Sequence, residues 1–248
     1  MTLQGRSAVV TGGASGIGRA TVAKLASAGV RVFIADIDQA KGEETAAAER
    51  KAGRQVDFIA TDLTSDASVE AFAKQVLGQI GRIDILVNAA GWDQHSSFLD
   101  TKPEFWQRVI GINLLGPIRM THAFLPGMVE AKGGKIVNVS SDAGRVGSSG
   151  ETPYAAAKGG VIAFTKSVAR EMARFQINVN CVCPGPTDTP LFASTPQRLR
   201  EALSKAIPFR RVAKPEEIAD AIVFFAGPGC DYITGQVLSV SGGLTMNG

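Results

Sequence analysis

Short apolar runs alternate with stretches of helical periodicity along most of the chain. Residues 7–11, 31–35, 55–60, 83–88, 135–140, 178–183 and 236–240 are largely continuous in apolar character. That is how strands read when a sheet is covered on both faces. Between them, residues 19–28, 40–52, 67–80, 103–129, 153 to about 174 and 215–226 carry helical spacing. Strand and helix in alternation predict right-handed crossovers and one parallel sheet of about seven strands with helices on both faces. Residues 191–212 break the rhythm and read as an inserted, partly helical flap. No proline- or serine-rich linker and no repeat interrupts the pattern, so the expectation is a single domain spanning 1–248.

The first strand ends in Thr11-Gly12-Gly13-Ala14-Ser15-Gly16-Ile17-Gly18. Strand, glycine turn and helix in that order predict a doubly wound Rossmann fold. Its glycines let the backbone turn tightly and approach a pyrophosphate resting on the helix N-terminus. The second strand ends in Asp36, where a carboxylate accepts both ribose hydroxyls of NAD and repels the 2′-phosphate of NADP. Neither Ser15 nor Ile37, flanking candidates for the same cofactor, supplies a cation that would rescue NADP. Asp62-Leu63 after the third strand and Asn88-Ala89-Ala90-Gly91 after the fourth fall on the rim where an open sheet binds its ligand. So does Pro184-Gly185-Pro186-Thr187-Asp188-Thr189, whose hydroxyls and amides suit a carboxamide.

The chemistry is expected between Ser141 and Lys158. Pro153 fits the first turn of a helix and the alanine run after it propagates well. Tyr154 and Lys158 are then i and i+4, stacked on one helix face. A nearby ammonium lowers a tyrosine pKa from about 10, so Tyr154 could exchange a proton with an alcohol or ketone. Ser141, at the end of the fifth strand, could bond the same substrate oxygen. In the helix over 103–129, Pro117 has no N–H for the carbonyl of Asn113. That carbonyl, or the Asn113 amide, is expected to hold a water behind Lys158. Gln94, Arg145, Leu191 and Phe192 are the candidate substrate contacts, and residues 161, 164, 168 and 172 form an apolar stripe expected to be core.

Composition narrows the classes. With 248 residues, 45% hydrophobic and 20% charged, a sizeable core is possible, and a net charge of +3 gives no reason to expect nucleic acid or membrane as a partner. No apolar run approaches the ~18 residues of a membrane span and no leader pattern opens the chain, so a cytoplasmic location is expected. The three cysteines, Cys181, Cys183 and Cys230, read as buried free thiols, and with only two histidines no metal site is expected.

Thr11-Gly12-x-x-x-Gly16-x-Gly18, Asp62-Leu63, Asn113, Ser141, Tyr154-x-x-x-Lys158 and Pro184-Gly185 through Thr189 occur in the order and spacing of the short-chain dehydrogenase/reductase family, which the chain resembles over essentially its whole length. The resemblance implies Tyr154 as general acid/base and Ser141 as the group orienting the substrate carbonyl. It also implies Lys158 on the nicotinamide ribose, Asn113 on the relay water, Thr189 on the carboxamide, and a homotetramer. One departure is Ala89, where the family carries a second asparagine that ties neighbouring strands; local rigidity is the property it puts at risk. Residues 91–93, 145–151, 184–189 and 233–248 further resemble family members that oxidise alicyclic hydroxyacyl-CoA thioesters in aromatic acid degradation. The expected activity is an NAD-dependent dehydrogenase of a secondary alcohol, a CoA thioester among the candidate substrates. Dehydrogenases of free aryl or alicyclic alcohols and 3-ketoacyl thioester reductases are the near alternatives, and a non-catalytic dinucleotide sensor is the distant one.

Overall fold

The computed structural model describes residues 2–246. The elements run β1 (Ser7–Thr11), α1 (Gly16–Ser27), β2 (Arg31–Asp36), α2 (Gln39–Lys51), β3 (Val56–Ala60), α3 (Asp66–Ile80) and β4 (Ile85–Asn88). They continue through α4 (Pro103–Ile110), α5 (Gly116–Ala131), β5 (Gly134–Val139), α6 (Ala143–Val146), α7 (Thr152–Met172), β6 (Ile177–Pro184), α8 (Pro190–Ala193), α9 (Gln197–Ala206), α10 (Pro215–Ala226) and β7 (Val237–Val240). All strand pairs are parallel and the seven-stranded order is β3-β2-β1-β4-β5-β6-β7. The order reverses between β1 and β4, so a crevice opens at their carboxyl ends, the position where such sheets take ligands.

Each sheet face has its own apolar layer, as continuous apolar strands require. Val10, Ile34, Val87 and Val137 pack with Val22 and Leu25 of α1 and Ile218, Ile222 and Phe225 of α10. Val9, Phe33, Leu86 and Ile136 pack with Phe72 of α3, Met120, Phe124 and Met128 of α5, and Val168 of α7. Phe72 and Phe124 meet edge to face at 6.0 Å. Complete burial of such side chains contributes about 1.5–3 kcal/mol each, which makes these two layers the main force holding the sheet flat against its helices. Of the α7 stripe, Val161 and Val168 are buried, while Phe164 and Met172 pack against the core from its margin.

The structure departs from the sequence pattern in three places. Helix α1 begins at Gly16, inside the glycine turn, because the positive φ of Gly12 and Gly16 lets the chain enter the helix at once. β4 begins at Ile85; Asp84 before it stays tied to β1, its N–H bonding the Ser7 carbonyl and its carboxylate accepting the Ser7 N–H and hydroxyl. The helix expected over 103–129 is interrupted by a widened π turn, Gly111–Leu115, in which the Gly116 N–H reaches back to the Gly111 carbonyl. Pro117 explains it: lacking an N–H and crowding the carbonyl four residues earlier, it fits a wider turn better than a regular one.

Candidate active site

The glycine turn lies against the end of β4. A Cβ on Gly12 would come within 2.7 Å of Ala90 Cα, and one on Gly18 within 2.1 Å of the Gly12 carbonyl oxygen. A Cβ on Gly16 would lie 3.2 Å from Thr189 Cγ2, so this turn also touches the segment leading to the flap. The first turn of α1 carries no acidic residue, and Ser15 at its N-cap makes no side-chain bond, which leaves its N–H groups, Ile17 and Gly18 among them, to an anion. At the end of β2, Asp36 accepts the Ala14 N–H on one oxygen and the Asp38 N–H on the other, each at 3.0 Å. Both oxygens keep a lone pair for a ribose hydroxyl, and Ile37 beside them is exposed. These donors and acceptors fit a dinucleotide.

Beneath the rim runs a layer of buried polar side chains. Thr11, Asn88 and Asn138 are register partners across β1, β4 and β5. The Thr11 hydroxyl accepts the Ala89 and Ala90 N–H groups at 3.0 and 3.1 Å. The Asn88 amide donates to Asn138 at 2.8 Å, and that of Asn138 to Thr165 of α7 at 2.9 Å. These bonds join β1, β4, β5 and α7 at the level of Ala89.

Ser141, Tyr154 and Lys158 converge where β5 meets α7. Lys158 is 2% exposed. Its Nζ donates to the Val139 carbonyl at 2.9 Å, and its own carbonyl accepts the Ser140 hydroxyl at 2.7 Å, so strand end and helix are joined twice at this residue. Gly144 makes this approach possible: a Cβ there would stand 2.6 Å from the Lys158 carbonyl carbon. The ammonium lies 5.6 Å from the centroid of the Tyr154 ring. Burial brings the Lys158 pKa down to about 8, with Cys181 and Cys183 acting the other way. Burial pushes the half-buried Tyr154 phenol above its ordinary range; Glu151 adds to this and the Ser141 hydroxyl opposes it. The lowered tyrosine pKa expected from the i, i+4 spacing is therefore not found. Loss of water around the phenol outweighs a cation that is itself desolvated and aimed at Val139.

Asn113 sits fully buried in the π turn. Its amide nitrogen donates to the Trp92 and Val109 carbonyls at 2.7 and 2.9 Å, and its amide oxygen accepts the Trp92 N–H at 3.2 Å. With the amide spent on the 92 loop, the main-chain carbonyl is the Asn113 group left for a relay water. Gly91 is close by: a Cβ there would lie 3.2 Å from the Asn113 amide oxygen and 3.6 Å from Lys158 Nζ. On the other wall, Thr187 donates to the Gly185 carbonyl at 2.9 Å, while Thr189 caps α8 by accepting the Phe192 N–H at 3.2 Å. Pro184 closes β6 beside Val240. Asp62 turns inward on Thr64, accepting its N–H and hydroxyl, and Leu63 is buried against Gly116.

The substrate candidates divide. Leu191 and Phe192 lie on α8, partly exposed beside the rim. Gln94 lines a shallow notch of about 300 Å³ with Ser96, Thr101 and Phe105. Arg145 is turned to Asp142, its Nη1 3.6 Å from the carboxylate. The flap is pinned at its neck, where the Asp188 N–H bonds the Ala213 carbonyl and the Ala213 N–H the Pro186 carbonyl. Of its basic residues Arg211 grips Glu217 with both terminal nitrogens at 2.6 Å, and Arg210 bonds the Lys205 carbonyl.

Comparison with known proteins fixes the lineage. The family profile described as Enoyl-(Acyl carrier protein) reductase matches residues 12–245. The chain belongs to the short-chain dehydrogenase/reductase family. It is 41% identical to the 3-oxoacyl-acyl-carrier-protein reductase FabG of Vibrio harveyi over 99% of this chain and 100% of that one. With the FabG of Thermotoga maritima it shares 38% over 99% and 100%. With BbsD of Thauera aromatica, a subunit of a hydroxy(phenyl)methylsuccinyl-CoA dehydrogenase, it shares 37% over 99% of each chain. An actinorhodin polyketide ketoreductase crystallised with NADPH superposes with a TM-score of 0.92 at 34% identity, covering 96% of this chain and 97% of that one. This short-chain dehydrogenase/reductase is therefore an oxidoreductase acting on a CH–OH group or its ketone.

Sequence reasoning missed several residues of this family member's site. Ser140 gave no signal beyond its place before Ser141. Lys41 was unforeseen near Asp36; its Nζ is 2.7 Å from Asp38, and Asp36 contributes more weakly to the rise in its pKa. Asp93, buried and acting electrostatically on the Tyr154 phenol, entered only through the resemblance of residues 91–93 and was given no role, because a loop carboxylate normally reads as solvated. Among the described residues no cluster of histidine, cysteine or acidic side chains could hold a metal, and no helix is long and apolar enough to cross a membrane.

Proposed function

We propose that this protein is an NAD-dependent dehydrogenase that interconverts a secondary alcohol and its ketone, acting on an acyl thioester in the manner of 2-hydroxycyclohexanecarboxyl-CoA dehydrogenase. The observation that carries the cofactor assignment is Asp36: two backbone N–H groups hold its carboxylate at the end of β2, where a 2′-phosphate would meet a fixed negative charge. Gly12, Ser15, Gly16, Ile17 and Gly18 receive the pyrophosphate and Ile37 and Asp62-Leu63 flank the adenine side. Asn88, Ala90 and Gly91 would line the same cofactor at the end of β4, and Pro184 through Thr189 would hold its carboxamide. When bound, the nicotinamide exchanges the hydride and, in its oxidised form, brings a positive charge. Ser141 would hold the substrate oxygen, Tyr154 take or give its proton, Lys158 bond the ribose, and the Asn113 carbonyl hold the water leading to solvent.

Support for a thioester comes from the relatives, whose names describe acyl-carrier-protein and CoA thioesters, and from the segments 91–93, 145–151, 184–189 and 233–248. Residues 247 and 248 of the last lie outside the described residues. Arg198 and Lys205 of the flap are exposed and suit CoA phosphates. The FabG relatives also favour a second reading, reduction of a 3-oxoacyl thioester, against which Asp36 stands if that activity needs NADPH. We further propose a homotetramer. Ile110 and Leu115 beside Asn113, and Leu238 on the open edge of β7 with Phe224 and Tyr232, are exposed apolar side chains suited to subunit contacts.

The test is NADH formation from 2-hydroxycyclohexanecarboxyl-CoA, a 3-hydroxyacyl-CoA, cyclohexanol and 1-arylethanols, each with NAD and with NADP. Turnover of thioesters with NAD supports the reading; turnover of free alcohols alone, or with NADP alone, sinks it. Tyr154→Phe should lose at least 100-fold in kcat with NADH binding retained. Full activity in that variant would refute the role of the phenol.

A further inference from the structure

The loop after β4 carries a carboxylate that the proposed mechanism does not use. Asp93 is 7% exposed, and no side chain donates to either of its oxygens; the main-chain N–H of the next residue, Gln94, is the one donor that acts on it. Its position is enforced from both sides. Trp92 is clamped through its N–H and carbonyl by the Asn113 amide, its ring meets Phe105 edge on, and the Arg108 guanidinium lies 3.9 Å over it. Three residues on, the Ser96 N–H bonds the Gly150 carbonyl at 2.9 Å, and the His95 ring packs on Gly150 so closely that a Cβ there would fall 2.3 Å from it. The segment that carries Asp93 is thus held on both sides of it. The groups that act on it are Glu151 ahead of α7 and His95 on its own loop, and its own charge acts in turn on the Tyr154 phenol. Burial first, and Glu151 after it, push its pKa up to about 6, with the Gln94 amide and His95 opposing.

A buried carboxyl with no side-chain partner is costly, and a fitted protein keeps one only where the charge does something. We propose that Asp93 is a specificity-determining residue that bars substrates carrying a free carboxylate beside the reacting carbinol, and so admits the acyl thioester or ester while excluding the parent hydroxy acid. This rests on the dehydrogenase reading above. The chemistry is like-charge exclusion in a cleft of low dielectric: a hydroxy acid brings a second carboxylate next to Asp93 and the phenol, whereas a thioester is neutral at the same position.

The experiment compares kcat/KM for methyl 2-hydroxycyclohexanecarboxylate and free 2-hydroxycyclohexanecarboxylate, with NAD, for the wild type and Asp93→Asn. At pH 7.5 the acid-to-ester ratio should rise at least tenfold in the variant. In the wild type the same ratio should rise as the pH falls from 7.5 to 5.5, where the free acid, with an ordinary carboxyl pKa near 4, is still ionised; in the variant it should stay flat. The wild-type pH series decides the matter even if Asp93→Asn fails to fold, which its melting curve and NADH fluorescence would reveal. Turnover of both compounds at a ratio independent of pH overturns the role of Asp93 and leaves the dehydrogenase reading standing. A protein that turns over neither these nor any other secondary alcohol overturns both.

Discussion

Replacing Lys158 with methionine should stabilise the protein at neutral pH while abolishing turnover. The ammonium is 2% exposed, and burial brings its pKa from 10.5 down to about 8. A lysine whose folded pKa lies below its unfolded value costs stability wherever both states are charged, and the cost disappears as the pH rises from the folded towards the unfolded pKa. The depression corresponds to roughly 3 kcal/mol of destabilisation at pH 7. Loss of the bond to the Val139 carbonyl returns about 1–2 kcal/mol of that, so the variant should be about 1–2 kcal/mol more stable at pH 7. Between pH 7 and 9.5 the wild type should gain about 2 kcal/mol relative to the variant, reversing or erasing the difference. Urea denaturation of both proteins at the two pH values, under reducing conditions, measures this directly, and subtracting one from the other removes the groups they share. A wild type that loses stability relative to the variant on going to pH 9.5, or a difference that does not move, would refute the account of Lys158 as a desolvated cation.

Two other substitutions test the parts that hold the site. Ser140→Ala removes the hydroxyl bonded to the Lys158 carbonyl and should cost about 1–2 kcal/mol in urea denaturation, with kcat falling several-fold and KM for NAD nearly unchanged; equal loss in both parameters would show that the bond does not position α7. Asp36→Ala should lower kcat/KM for NAD at least tenfold and raise the NADP-to-NAD ratio, since it removes the ribose acceptor and the charge that opposes a 2′-phosphate. A ratio that moves less than twofold would mean that selectivity resides elsewhere, with Lys41 the first residue to substitute.

The sheet was legible because its strands are covered on both faces. Residues 31–35 and 135–139 can be nothing else than buried strands once helical stretches separate them, and Gly12, Gly16, Gly18 and Asp36 mark the ligand end by backbone geometry alone. Periodicity is a local signal, and it failed where the outcome depends on distant residues. The π turn at Gly111–Leu115 arises from Pro117 acting on a turn that otherwise reads as ordinary helix. The side-chain tie of Asp84 to Ser7, far away in sequence, leaves no periodic trace. Arg145 faces Asp142, a pairing that no periodicity in the chain announces. The Tyr154–Lys158 pair was found from its spacing, but the spacing could not reveal how little water reaches either group, and that sets the direction of both pKa shifts.

The polar residues within the apolar strands show why the site tolerates such costs. Thr11, Asn88 and Asn138 stand at one level across β1, β4 and β5, each the last or nearly the last residue before the chain leaves the sheet. In a purely apolar sheet that level would be the natural place for strand ends to fray, because the ladder bonds stop there. Here side chains continue the bonding past the ladder: Thr11 takes two N–H groups of the 89–90 turn, and Asn138 carries the link from Asn88 on to Thr165 in α7. The loop from Gly91 to Ser96 is fixed in turn by Asn113 and Gly150. A rim bonded in this way fixes the main chain around a desolvated lysine and a buried aspartate, so that water does not reach them by the strand ends parting. With no side-chain bond available from Ala89, the hold on this turn rests on Thr11, which takes the N–H groups of residues 89 and 90 at once.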